Sequence, residues 1–251
     1  MNMPNQPPPW TSRHTGKTYP TIRQFDGKHL AAVVLFIMLC GILVVAVKRL
    51  PRGTVKAARQ VAGAIMGIIT TAYFIWVLNP KRLVWDETAP FHVTDLLRYI
   101  TPLALGTGNP TATALSYYWG LFLNPMAIFF PDMAFVQDKK WLQELAYWYF
   151  HIMATVVPVV LTFGLGYRPN WKDWRVVAGI TMVWAAVSGV ANKVTGGNYF
   201  FSNGHPRGWS PLKFFGPWPW YLLICAPGLP FVFALMTGCL LYTSPSPRDR
   251  G

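Results

Sequence analysis

Apolar residues fall in long blocks along this chain, over residues 30–47, 61–78, 91–105, 111–130, 142–165 and 174–190, and from Gly216 to about Met236. The blocks approach the roughly 20 residues that a helix needs to cross a bilayer. A helix closes its own backbone hydrogen bonds, which lipid cannot do for it. The pattern therefore predicts an all-α, polytopic transmembrane helical bundle of about seven spans. Short basic or Pro/Gly-rich connectors separate the blocks. Breaks are predicted at Gly106-Thr107-Gly108-Asn109-Pro110, after the third span, and at Asn124-Pro125 inside the fourth. Pro158 is a kink point in the fifth span. Asn192, Lys193, Asn198 and Tyr199 lie at the end of the sixth, around a turn at Thr195-Gly196-Gly197 whose glycines permit positive φ.

The proline-rich start, residues 1–28, reads as a flexible polar tail, and residues 29–238 as one membrane domain. No small-residue cleavage site follows the first apolar block, so the first span is expected to be a retained anchor. From Cys239 to Asp249 the chain resembles a translated sequencing-library adapter. Residues 239–251 are therefore expected to be foreign, and Cys239 takes no part in the functional argument. No internal repeat stands out, which gives no support to an inverted-repeat transporter.

Composition sharpens this picture. Only 12% of the 251 residues are charged, against about 25% in soluble domains. The net charge of +13 suggests a nucleic-acid partner only until its placement is read. Lys48, Arg49 and Arg52, Lys81 and Arg82, and Lys139 and Lys140 sit at the ends of apolar blocks, where headgroups lie. Trp171, Trp174 and Arg175 likewise fit an interfacial aromatic belt. The expected partners are membrane lipids, not nucleic acid, and the expected location is the cell (plasma) membrane, as a multi-pass protein. Orientation is divided: the five basic residues of connector 48–59 favour a cytoplasmic position, whereas Arg13, Lys17, Arg23 and Lys28 pull the N-terminus the same way. Cys40, Cys225 and Cys239 have neither metal spacing nor a disulfide framework; no cofactor or metal is expected.

Two polar clusters interrupt the apolar blocks. His92, Thr94, Asp95 and Arg98 fall within an arc of roughly 160° on the third span. Gln143, Glu144 and His151 share a face of the fifth. Ionisable groups at membrane depth cost roughly 2.5–3.5 kcal/mol each on insertion scales and tend to mark a working site. Asp95 and Arg98 form an i,i+3 pair able to neutralise both charges. A threonine hydroxyl becomes nucleophilic when a base takes its proton, and histidine is the usual base. Asp95 or Glu144 is expected to orient that imidazole, and Arg98 to hold an anionic headgroup, a fatty-acid carboxylate or a developing oxyanion. The plain alternative is interhelical hydrogen bonding without chemistry.

Pro90-Phe91-His92-Val93-Thr94-Asp95-Leu96, Gly166-Tyr167-Arg168-Pro169, Gly197-Asn198-Tyr199 and Gly216-Pro217-Trp218-Pro219-Trp220-Tyr221 together resemble the YwaF-type bacterial integral membrane proteins. That family is similar to a eukaryotic seven-span protein implicated in acyl transfer onto ether phospholipids. More distantly, it is similar to seven-span hydrolases of fatty-acid esters of hydroxy fatty acids. The resemblance implies a nucleophile at Thr94, where many YwaF-type members have Cys, and a catalytic histidine at His151. The expectation is a membrane-embedded lipid acyltransferase or fatty-acyl ester hydrolase, with Asp95, Glu144, Arg98 and His92 around the pair. The rivals are a proton-linked transporter or channel, relaying through Asp95, Glu144 and the two histidines, and a non-catalytic membrane interaction protein.

Overall fold

The computed structural model describes residues 7–242. Its helices are α1 (Gly27–Arg49), α2 (Arg52–Val77), α3 (Val93–Thr107), α4 (Pro110–Tyr118), α5 (Pro125–Phe129), α6 (Lys140–Val159), α7 (Trp171–Thr195) and α8 (Trp220–Tyr242). A π-helical piece, Trp119–Leu123, joins α4 to α5, and another, Val160–Gly164, extends α6. Counting α4–α5 as one pass gives the seven passes expected. Among the described residues, five helices are long and apolar enough to cross a membrane: α1, α2, α6 with its extension, α7 and α8. With 15 residues α3 rises only about 22 Å. It is nevertheless the centre of the bundle, packed against α2, α4 and α6.

Local chemistry explains these boundaries. Asp26 caps α1 by accepting from the His29 N–H, and Asn109 caps α4 by accepting from Ala112. The predicted breaker ends α3 through Gly108 at φ 69°, and Pro110 opens α4, where its missing N–H is harmless. The predicted turn after α7 forms through Gly196 at φ 76°. Helix α2 begins at Arg52, well before its apolar block, because Arg52, Lys56 and Arg59 extend polar heads from apolar stems. Arg59 Nε also donates to the Leu105 carbonyl near the end of α3 (3.1 Å). Close approach of α2 to α3 requires Gly63 and Gly106: a Cβ on Gly63 would lie 2.7 Å from the Gly106 Cα. Small residues at such contacts replace the hydrophobic drive that lipid removes.

At one end of the bundle the connectors fold over it as a cap. Over its described part, 7–28, the expected flexible tail is instead docked. It carries an antiparallel hairpin, β1 (Trp10–Thr11) with β2 (Thr18–Tyr19). The Ser12 hydroxyl and the Arg13 and His14 N–H groups donate to Asp86. Gln24 bridges the Pro131 and Trp209 carbonyls and accepts from the Trp209 N–H. These are buried and part-buried bonds between distant residues, which single-residue polarity does not reveal. The predicted foreign segment lies outside the described residues from 243 onward; residues 239–242 continue α8.

Candidate functional site

Between the cap and the helices lies a cavity of about 710 Å³, within the roughly 300–1,000 Å³ usual for small-molecule sites. His92, Thr94, Asp95 and Arg98 of the α3 end, and Gln143 and His151 of α6, all line it. Thus the two sequence clusters meet, since α3 packs on α6. Glu144 does not join them. It pairs with Lys28 on α1 at 3.3 Å (side-chain exposure 74% for Lys28, 20% for Glu144), one residue round the helix from the inward Gln143. The 100° step between neighbours on a helix separates their faces.

Each inward residue has a distinct local assignment. Asp95 accepts from the His92 N–H at 2.9 Å and pairs with Arg98 Nη2 at 3.2 Å. It is therefore committed to closing the start of α3 and to neutralising Arg98, and does not orient His151 as expected. The Arg98 guanidinium is held among aromatic rings, its carbon 4.9 Å from the Phe150 centroid, 5.1 Å from Tyr73 and 5.4 Å from Phe74. Such cation–π contacts offset part of its desolvation. His92 packs edge-on to Tyr199. Gln143 accepts from the Gln137 N–H and donates to the Ala134 carbonyl, so it anchors the cap. Thr94 Oγ1 has no hydrogen-bond partner among the described residues, and no direct hydrogen bond joins it to His151.

His151 is buried and its Nδ1 lies 2.8 Å from Asn124 Oδ1. Asn124 Nδ2 donates to the His151 carbonyl and to Thr155 Oγ1, both at 2.7 Å. The Tyr147 ring lies over the imidazole, with centroids 4.3 Å apart. Asn124 was visible in sequence only as part of a helix break. Its signal was an amide in the middle of an otherwise apolar block.

The polar end of the cavity is a second group that patterning missed. Arg207 grips Glu87 with both Nη atoms, at 2.9 and 3.1 Å, and reaches Asp132 through Nε. Burial raises the Glu87 carboxyl above its ordinary range, against the opposing pull of Arg207. For Arg207, burial favours loss of the proton but the two carboxylates outweigh it, and its pKa is raised. His205 also lines the cavity, with Nε2 2.9 Å from the Gly216 carbonyl. These groups sit on connectors between spans, where the polar background hides them. At the end of α7, Asn192 Nδ2 donates to the Tyr199 carbonyl and Asn192 Oδ1 accepts from the Tyr199 N–H, which ties the turn to the helix. The side of the cavity formed by α7 and α8 is mostly apolar, with Met182 and Ala185 of α7 and Leu222, Ala226 and Leu229 of α8.

The cavity thus brings together a charged group from the cap, an apolar side on α7 and α8, the Thr94 hydroxyl and the His151 imidazole. No curated protein and no solved structure matches the chain. A sequence profile matches residues 24–237, which hold α1 to α7, most of α8 and most of the cavity lining. This integral membrane protein belongs to the TMEM164 family.

Proposed function

We propose that this protein is a membrane-embedded enzyme that transfers or hydrolyses fatty-acyl groups on lipids. The observation that carries the reading is the shared cavity: Thr94 and His151 line one chamber that also has charged cap residues and an apolar side on α7 and α8. That division suits a lipid ester, with its headgroup among the cap residues and an acyl chain along α7 and α8. The YwaF-like resemblance points the same way.

In the proposed reaction His151 Nε2 takes the Thr94 hydroxyl proton as Oγ1 bonds to the acyl carbonyl carbon. The carbonyl π electrons move to oxygen, and Arg98, on the same wall, stabilises that negative charge. Collapse breaks the bond to the lipid oxygen, which receives the proton from Nε2. A second hydroxyl, of an acceptor lipid or of water, then repeats the sequence on the Thr94 ester and frees the threonine. Apo geometry of such pairs is commonly looser than about 3 Å and tightens on substrate binding. A proton relay or channel needs a polar path to the other bundle end. The cavity lining, among the described residues, runs no deeper than Leu123, His151, Met182 and Leu229.

The test is lipidomics of cells expressing the full chain as wild type, Thr94→Ala and His151→Ala. The wild type should change acyl composition relative to empty-vector cells, and both variants should return it to baseline. Identical profiles in all three, at equal expression, would remove the enzymatic reading.

A further inference from the structure

We propose that Asn124 is a positioning residue that fixes the tautomer of His151, holding the proton on Nδ1 and presenting the Nε2 lone pair to the cavity. The argument rests on which atoms can only accept. The His151 carbonyl oxygen has no proton, so the Asn124 atom 2.7 Å from it must be the amide nitrogen. The same nitrogen gives its second hydrogen to Thr155 Oγ1. The remaining amide atom is therefore the oxygen, 2.8 Å from His151 Nδ1. An amide oxygen is also acceptor-only, so Nδ1 must carry a proton. In neutral imidazole the lone pair then belongs to Nε2. Since Nδ1 is turned onto Asn124 and His151 lines the cavity, Nε2 is the nitrogen left to face it.

The backbone around Asn124 is built to hold it there. The π turn brings the Asn124 N–H onto the Trp119 carbonyl at 2.8 Å, and such turns recur at functional sites. Pro125 follows, starting α5. Gly120 allows this segment against α6: a Cβ there would lie 2.3 Å from the Ala154 carbonyl oxygen. Asn124 is 0% exposed, so water does not compete for Oδ1.

The catalytic consequence rests on the acyl-enzyme reading above, but the tautomer is measurable without it. The experiment is ¹⁵N-histidine NMR of the full-length protein in lipid nanodiscs, at a pH where His151 is neutral, with His151→Gln used to assign the signal. Wild type should show Nδ1 protonated and Nε2 bare. Asn124→Asp should keep that pattern, because a carboxyl protonated on the oxygen that faces the His151 carbonyl still offers Nδ1 an acceptor. Thr155→Val, which removes one partner of the amide but not the Nδ1 contact, should also keep it. Asn124→Leu should release it to a mixture or to Nε2–H. In the lipidomic assay Asn124→Leu should then lower product by up to roughly 10²–10⁴-fold, the range of a positioned general base, while Thr155→Val stays near wild type. A wild-type His151 protonated at Nε2, or an Asn124→Leu protein that keeps Nδ1–H, overturns the inference. If Asn124→Leu does not fold, the wild-type and Asn124→Asp spectra decide. Failure of the acyl-enzyme reading is seen separately, as Thr94→Ala and His151→Ala cells whose lipids match wild type.

Discussion

Arg98 is the most constrained single residue of the site. It lies in the second turn of α3, paired with Asp95 and enclosed by Tyr73, Phe74 and Phe150. Removing one partner of a buried ion pair strands the other charge, at about 3–5 kcal/mol. Arg98→Met should therefore destabilise the protein by about that amount in thermal unfolding, whereas Asp95→Asn with Arg98→Met should recover much of the loss. Equal losses in the single and double variants would show that the charge pair is not what matters. The Asp95–Arg98 pair was legible in sequence because i,i+3 spacing alone brings the two side chains together. The partner of His151 was not. Asp95 and Glu144 were the acids nearest in pattern, yet Asp95 is committed to the α3 start and Glu144 turns to Lys28. An uncharged amide from another span fills the position, and no spacing rule connects residue 124 to residue 151.

At the scale of elements, the breaks at 106–110 and 124–125 were readable because glycine and proline act locally on the backbone. The two π-helical pieces were not, since one extra residue in a turn leaves the apolar pattern almost unchanged. Gly120 links the local break to the site. Gly120→Ala would press a methyl against α6 and push the Asn124 segment away. Overpacking of this kind costs about 1–3 kcal/mol, so a lower thermal midpoint and reduced lipid turnover are expected together. A Gly120→Ala protein with unchanged midpoint and turnover would show that close approach there is unnecessary. A second expectation concerns the α3 start: Thr94→Cys should retain acyl chemistry, since a thiol is the stronger nucleophile. Lipidomic profiles of Thr94→Cys beside Thr94→Ala measure this, and a Cys variant as inert as the Ala variant would count against nucleophilic attack from this position.

The whole molecule divides into a bundle that sequence describes well and a cap that it does not. Spans are legible because bilayer thickness sets their length. The cap depends on pairings such as Ser12 with Asp86, Gln24 with Trp209 and Arg207 with Glu87 and Asp132, each joining distant parts of the chain. Arg207→Met leaves two buried acids without their cation. Faster protease cleavage in connectors 78–92 and 196–219 is expected from it, and unchanged cleavage would mean that the cap holds without Arg207. The central claim is that this folded chamber carries an acyl group on residue 94. Peptide mass spectrometry of the full-length protein, purified from membranes as wild type and as Thr94→Cys, tests it most directly. The account requires a fatty-acyl mass on the peptide containing residue 94, removable by neutral hydroxylamine in the Cys form and absent after Thr94→Ala. An unmodified residue 94 in both forms, from cells whose lipids the protein has nonetheless changed, would contradict it.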